Sequence, residues 1–296
     1  MNPIAELFRA LAALAEPPRD EHRAIAEALE LPGVPESHDY TGVFLFHLYP
    51  YASIYLSADG MLGGEARDRV AGFHRALGLT PPPEPDHIAS ILSLYASLIE
   101  AEEGADDAAG RAAWAHARAA FLWEHILTWL PVFLLKMDEV APPIYGGWAR
   151  LLSDVLLAEA RTIPHDGPPA LHLREVPGLE DPEASPTGFI KGLLAPAVSG
   201  MIITRADLAR AARGADLGLR IGERAFILRS LFEQDADATL EWLQQEALAW
   251  VPRHQRLAPE LGDIARFWKG RAVAVVARIR EVRTTAGEVV AHASAD

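Results

Sequence analysis

Apolar residues recur along this chain at spacings of three and four, the period of one face of an α-helix. Ile4, Leu7, Phe8, Leu11 and Leu14 keep that period near the start, and Glu16-Pro17-Pro18 interrupts it before a second helical stretch over 19–31. A third covers 37–48, with Tyr40, Val43, Phe44, Phe46 and Leu48 as its apolar positions. Residues 49–60, which hold Tyr49, Tyr51 and Tyr55, have no clean period and end on Asp59-Gly60, so an ordered loop is expected there. The strongest pattern lies in 81–136. Pro81, Pro82, Pro83 and Pro85 lack an amide donor and cannot occupy a helix interior, so they form an extended lead-in. Asp86 follows as the expected N-cap. Ile88, Ile91, Leu92, Tyr95, Leu98 and Ile99 then trace one helix face, and Trp114, Phe121, Leu122, His125, Trp129 and Leu130 trace another before Pro131. The pair predicts an antiparallel helical hairpin with the Glu84-Pro85-Asp86-His87 corner exposed at one end.

A helix near 144–161 closes the first part, and the proline-rich, aperiodic stretch after it reads as a connector. Helical patterns return over 189–194, 223–232, 235–250 and 259–283, and Thr204-Arg205-Ala206-Asp207 resembles a capping box with Asp in the usual Glu position. No strand pattern exceeds a few residues. The chain is therefore expected to be all-α, with a helical domain over 1–162, a linker over 163–188 and a helical C-terminal extension over 189–296.

Charge adds to this picture. The chain carries −14, and residues 1–162 hold 11 Lys+Arg against 23 Asp+Glu, which leaves the remainder nearly neutral. An acidic surface repels phosphate backbones and steers basic partners, so nucleic acid is not an expected ligand. With no cysteine in the sequence, disulfides, thiolate nucleophiles and Cys-type metal sites are excluded. The N-terminus, with Glu6 and Arg9 in its first turns, reads as a helix rather than a signal peptide. The longest apolar run, 121–135, contains Glu124, His125 and Pro131 and is too short for a bilayer. A cytoplasmic protein without stable membrane insertion is the expectation.

Motifs for chemistry are missing. The sequence has no His-Glu-x-x-His, no nucleophile elbow, no phosphate-binding loop and no dinucleotide fingerprint. Glu84-x-x-His87 has the spacing of a di-iron ligand pair, but Pro85 between them prevents a shared helical face. No cofactor, metal or catalytic residue is expected, and His125 reads as a hydrogen-bonded core residue.

Four motifs occur in order: Pro-Tyr-Ala-Ser-Ile-Tyr-Leu over 50–56, Gly-x-Leu-Gly-Gly over 60–64, Glu-Pro-Asp-His-Ile over 84–88 and Phe-Leu-Trp-Glu-His-Ile-Leu-Thr-Trp-Leu-Pro-Val-Phe over 121–133. Together they resemble the TorD-like redox-enzyme maturation chaperones, relatives of the nitrate reductase delta subunits, over about residues 5–162. The resemblance implies an all-α, non-enzymatic cytoplasmic chaperone. It would bind the twin-arginine leader peptide, or the apo form, of a molybdopterin-dependent oxidoreductase while the cofactor is inserted. The peptide surface it implies centres on Asp86 and His87, then Glu84, Tyr51, Ser53 and Tyr55. A leader with a basic head and an apolar body requires carboxylates beside an apolar groove, which these residues can supply. Asp86 as a simple helix cap and His87 as a packed corner residue fit the same sequence. A helical nucleotide- or pterin-binding protein and a non-catalytic adaptor stay open as alternatives, as does a homodimer, and the extension past 188 carries no motif.

Overall fold

The computed structural model describes residues 2–165, 167–181 and 184–293, with side chains to residue 284. Every regular element among the described residues is helical, and the one trace of sheet-type pairing is an isolated antiparallel bridge between Tyr51 and His87. The helices group into two compact units. One comprises Met1–Ser57 with Met61–Arg174, and the other Ala58–Gly60 with Glu175–Asp296.

In the first unit, α1 (Pro3–Leu14) begins where the Asn2 side chain accepts from the Ile4 amide at 2.9 Å, and Pro3 needs no donor in that first turn. The chain continues through α2 (Asp20–Ala28) and α3 (Gly64–Ala76) to α4 (Ile88–Glu103), the helix around which this unit packs. The predicted apolar stripe of α4 is buried from Ile88 to Ile99. α1 lies along it, with Phe8 edge-on to Tyr95 at 4.8 Å and Arg9 paired to Glu100. Asp107 caps α5 (Ala108–Phe121), its carboxylate accepting from Gly110, and α5 returns along α4 as the expected hairpin. The helix then widens into a π-helical turn, Leu122–Ile126. Pro131 stands in the first turn of α6 (Leu130–Val140), so it opens a helix instead of kinking one, and the axis bends by 50° at the break. α7 (Pro143–Thr162) packs on α6, and its Trp148 indole donates to the Leu11 carbonyl at 2.9 Å. Between α4, α5 and α7, the Tyr95 hydroxyl donates to Glu159, and Arg118 pairs with both Glu159 and Glu102.

Two local expectations change. The stretch 37–48 is one α-helical turn, Ser37–Tyr40, running into a π-helical segment, Thr41–His47. That widening buries Val43 and Phe44 while Leu45 and Phe46 stay 49% and 54% exposed. The expected loop 49–60 contains a helical turn, Ala52–Leu56.

The second unit comprises α8 (Pro186–Leu194), α9 (Arg205–Gly214), α10 (Arg224–Gln234), α11 (Ala236–Arg256) and α12 (Asp263–Ala293). The capping box at α9 forms as the sequence predicts, with Thr204 and Asp207 each accepting from the other's amide. α11 runs on through Pro252, beyond the predicted stop. It packs along α12, where the His254 ring stacks on Trp250 and Trp268, and His254 Nε2 reaches the Gly200 carbonyl at 2.7 Å. Gly200 has φ +71°, and a β-carbon there would lie 2.5 Å from the Ala272 amide nitrogen. Only glycine fits that approach.

Among the described residues no single helix is long and apolar enough to cross a membrane; the bent pair 108–126 and 130–140 passes only when taken together.

Candidate functional site

Residues of the other three sequence motifs all contact the Pro50–Leu56 motif, which is paired with the N-terminal end of α4. Backbone pairing joins two of them. The Ala52 amide donates to the Asp86 carbonyl at 2.9 Å and the Ile88 amide to the Pro50 carbonyl at 2.9 Å, which places Tyr51 opposite His87. Their rings meet edge-on at 5.0 Å.

The structure corrects the role expected for Asp86. The N-cap of α4 is His87, whose Nδ1 accepts from the Ala89 amide at 3.1 Å. Asp86 is only 1% exposed, and its carboxylate accepts from the Ser53 amide at 3.1 Å. It thus satisfies an orphan donor of the Ala52–Leu56 turn from across the bridge. The Ser53 hydroxyl in turn accepts from the Gly63 amide at 3.0 Å, which ties in the glycine motif ahead of α3. Tyr55 donates to the Tyr49 carbonyl at 2.9 Å while its ring stacks on Trp129 at 5.2 Å and meets Phe133 edge-on. Asp86, Ser53 and Tyr55 are therefore buried ties among the four motifs.

The corner is also less open than expected. Pro85, Asp86 and His87 are buried, while Glu84 is exposed and Tyr51 is half-buried. Of the six predicted residues, Glu84 and Tyr51 face the surface most, and His87 retains 8% exposure. Burial, reinforced by the hydrogen bond and charge of Glu84, pushes the Tyr51 phenol well above its ordinary range. Burial holds the His87 imidazole below its ordinary value against the pull of Glu84, Glu16 and Asp86. The cap fixes the tautomer: with Nδ1 accepting, the neutral ring carries its proton on Nε2.

An open groove of about 400 Å³ begins at the same turn of α4. Leu79, Pro82, Ala89 and Leu94 give it an apolar wall, Ser90 and Ser93 a polar one, and Glu16 lines it from the α1–α2 connection. Leu45, Phe46 and Tyr49 are exposed immediately before the paired Pro50 segment. Sequence reasoning missed Glu16 and the groove. Glu16 sits in a plain helix break with no motif around it, and only the fold brings its charge within reach of His87 and Tyr40.

The described residues contain no group of three or more His, Asp or Glu that could hold a metal ion. Glu84 and His87 both precede the helix proper, so they share no helical face.

A family model described as nitrate reductase delta subunit matches residues 5–134. The chaperone protein TorD of Aeromonas salmonicida (strain A449) is 31% identical over 160 residues, 53% of this chain and 68% of that protein. The chaperone protein TorD of Vibrio vulnificus (strain CMCP6) is 36% identical over 95 residues, 30% of this chain and 44% of that protein. The matched region of the Vibrio protein is thus less than half its length.

Proposed function

This chain belongs to the TorD-like chaperone family, and from that premise we propose that it binds the twin-arginine leader of an immature molybdopterin-dependent oxidoreductase and holds that client during assembly. The observation that supports this most is the exposed Glu84 carboxylate just ahead of α4, near a groove that starts on the first turn of that helix. Glu84 and Glu16 provide negative charge for guanidinium groups, Tyr51 and the His87 Nε2–H add polar contacts, and Leu79 and Leu94 line a path for the apolar body of the leader. Asp86, Ser53 and Tyr55 hold the corner in shape and touch no ligand. The groove requires no bond-making chemistry of its own residues.

Calorimetry with a peptide of two adjacent arginines followed by an apolar stretch tests the reading. Binding is expected in dilute buffer and should weaken with added salt, since exposed charge pairs are screened within about 10 Å at 0.1 M. Glu84→Gln and Glu16→Gln should each weaken it by roughly 1.4- to fivefold, the range of about 0.2–1 kcal/mol for exposed pairs. A flat titration at low ionic strength, or equal binding of a peptide with both arginines replaced by glutamine, would refute it.

A further inference from the structure

The second unit carries an apolar surface that has no part in the peptide-binding reading. Between α9 and α10 the chain turns through Leu217-Gly218-Leu219-Arg220-Ile221-Gly222. Ile221 is 98% exposed, and Leu219 and Phe226 are each 50% exposed. Exposed Arg213, Arg220 and Arg229 lie in the same stretch, with exposed Asp216 and Glu223 between them, so the cations are in excess by one. This tip does not float: the Gln234 side chain accepts from the Gly218 amide at 2.7 Å and donates to the Gly218 carbonyl at 2.9 Å. A held turn that presents an almost fully solvated isoleucine has left apolar surface in water for which the fold of its own unit gives no reason.

We propose that the occupant of this tip is a second copy of the chain, whose α4 groove receives Leu219-Arg220-Ile221. This rests on the peptide-binding reading of that groove. Chemical complementarity argues for it. The tip joins arginine to apolar side chains, the same combination that makes a leader peptide a ligand. The groove joins Glu16 to Leu79, Pro82 and Leu94, beside the exposed carboxylate of Glu84. An anionic membrane is the weaker match, because a chain of net charge −14 is repelled by such a surface. The pinned turn lowers the ordering cost of insertion. The consequence is self-occlusion: an idle chaperone covers its groove with a neighbour, and a client leader displaces that neighbour.

Sedimentation velocity over a range of protein concentrations, in low salt and in 0.5 M NaCl, tests this with the full chain. The wild type should associate reversibly as concentration rises, and less so in high salt. Ile221→Asp and Arg220→Glu, both on an exposed turn that folding does not need, should stay monomeric. Leu79→Ser, at the exposed edge of the groove, should do the same. The arginine-bearing peptide should dissociate the wild type, and its apparent affinity for Ile221→Asp should be about twofold tighter at the concentration where half the wild-type chains are associated. A wild type that is monomeric at every concentration overturns the proposal, as does association that survives Ile221→Asp. Pelleting of monomeric wild type with phosphatidylglycerol vesicles, abolished by Ile221→Asp, would overturn it in favour of a lipid. The two readings fail separately. Ile221-dependent association that no peptide disturbs leaves the second-copy contact standing and removes leader binding.

Discussion

Replacing Asp86 with alanine separates two explanations of why this residue matters. In the structure its carboxylate is 1% exposed and accepts from the Ser53 amide at 3.1 Å, next to the backbone pairing of Ala52 with Asp86. A hydrogen bond to a charged group contributes about 1.5–3 kcal/mol, and removal of the acceptor strands a buried amide. Asp86→Ala should therefore destabilise the first unit by about 2–3 kcal/mol. At roughly 2–4 °C per kcal/mol for a unit of this size, that is a fall of about 4–12 °C in its thermal midpoint. Asp86→Asn keeps an oxygen that the Ser53 amide can reach and should recover most of the loss. Urea and thermal unfolding, followed by tryptophan fluorescence with the transitions of the two units fitted separately, give the stability. Calorimetry gives peptide affinity on the same samples. Weakened binding should accompany the stability loss and return with Asp86→Asn. If Asp86→Ala leaves stability unchanged yet abolishes binding, or if Asp86→Asn is stable and fails to bind, the carboxylate touches the ligand directly and its role as a buried tie is refuted.

Other outcomes follow from the same packing. Burial lowers His254 to about 4 and His125 to about 4. Because the unfolded imidazole protonates near 6.5, the stability contributed by keeping these rings neutral is complete above about pH 6.5 and is lost as pH falls toward 4. Urea midpoints measured from pH 7.5 to 4 should fall in that window, and His254→Phe should flatten the profile of the second unit. Gly200→Ala should destabilise that unit by about 2 kcal/mol or more, because the added β-carbon meets the Ala272 amide at a positive φ; unchanged unfolding would show that the chain relaxes there. Glu159→Ala, which removes the partner of the Tyr95 hydroxyl and one of the two carboxylates on Arg118 while Glu102 remains, should cost the first unit about 1–3 kcal/mol by the same assay, whereas exposed Asp138→Ala should cost less than about 1 kcal/mol.

Much of this architecture is written in periodicity. The Ile88–Ile99 stripe and the capping box at Thr204 are local signals, and each determines a structure within a few residues of itself. Departures arise where tertiary contact outweighs local preference. Asp86 has the sequence signature of a cap, and it does satisfy a helical amide, but that amide belongs to Ser53, brought opposite by a bridge that no local rule foretells. His87 could take the α4 cap because its Nδ1 lies in reach of the Ala89 amide. At 41–47, aromatic residues fit either helical period, and packing of Phe44 against Tyr145 and Trp148 accompanies the wider turn. Glu16 was invisible for a different reason. A glutamate in a proline break has no meaning until folding sets it beside a groove whose other residues begin at His74, far along the sequence.

The corner divides its labour by burial, and that division has a measurable signature. Glu84 acts at the surface, where each charge interaction shrinks as ions screen it, so the affinity gap between wild type and Glu84→Gln should close as salt rises from about 0.02 to 0.5 M. Asp86 acts through a desolvated hydrogen bond that ions do not reach. Its substitution loosens the Pro50–Leu56 segment at any ionic strength, so the gap for Asp86→Ala should persist across the same range. Parallel salt slopes for the two variants would mean that both carboxylates meet the cation in the same way. Diverging slopes would mean that one residue binds while the other keeps it in position, and a site so built gains specificity because the ligand orders little of the protein when it arrives.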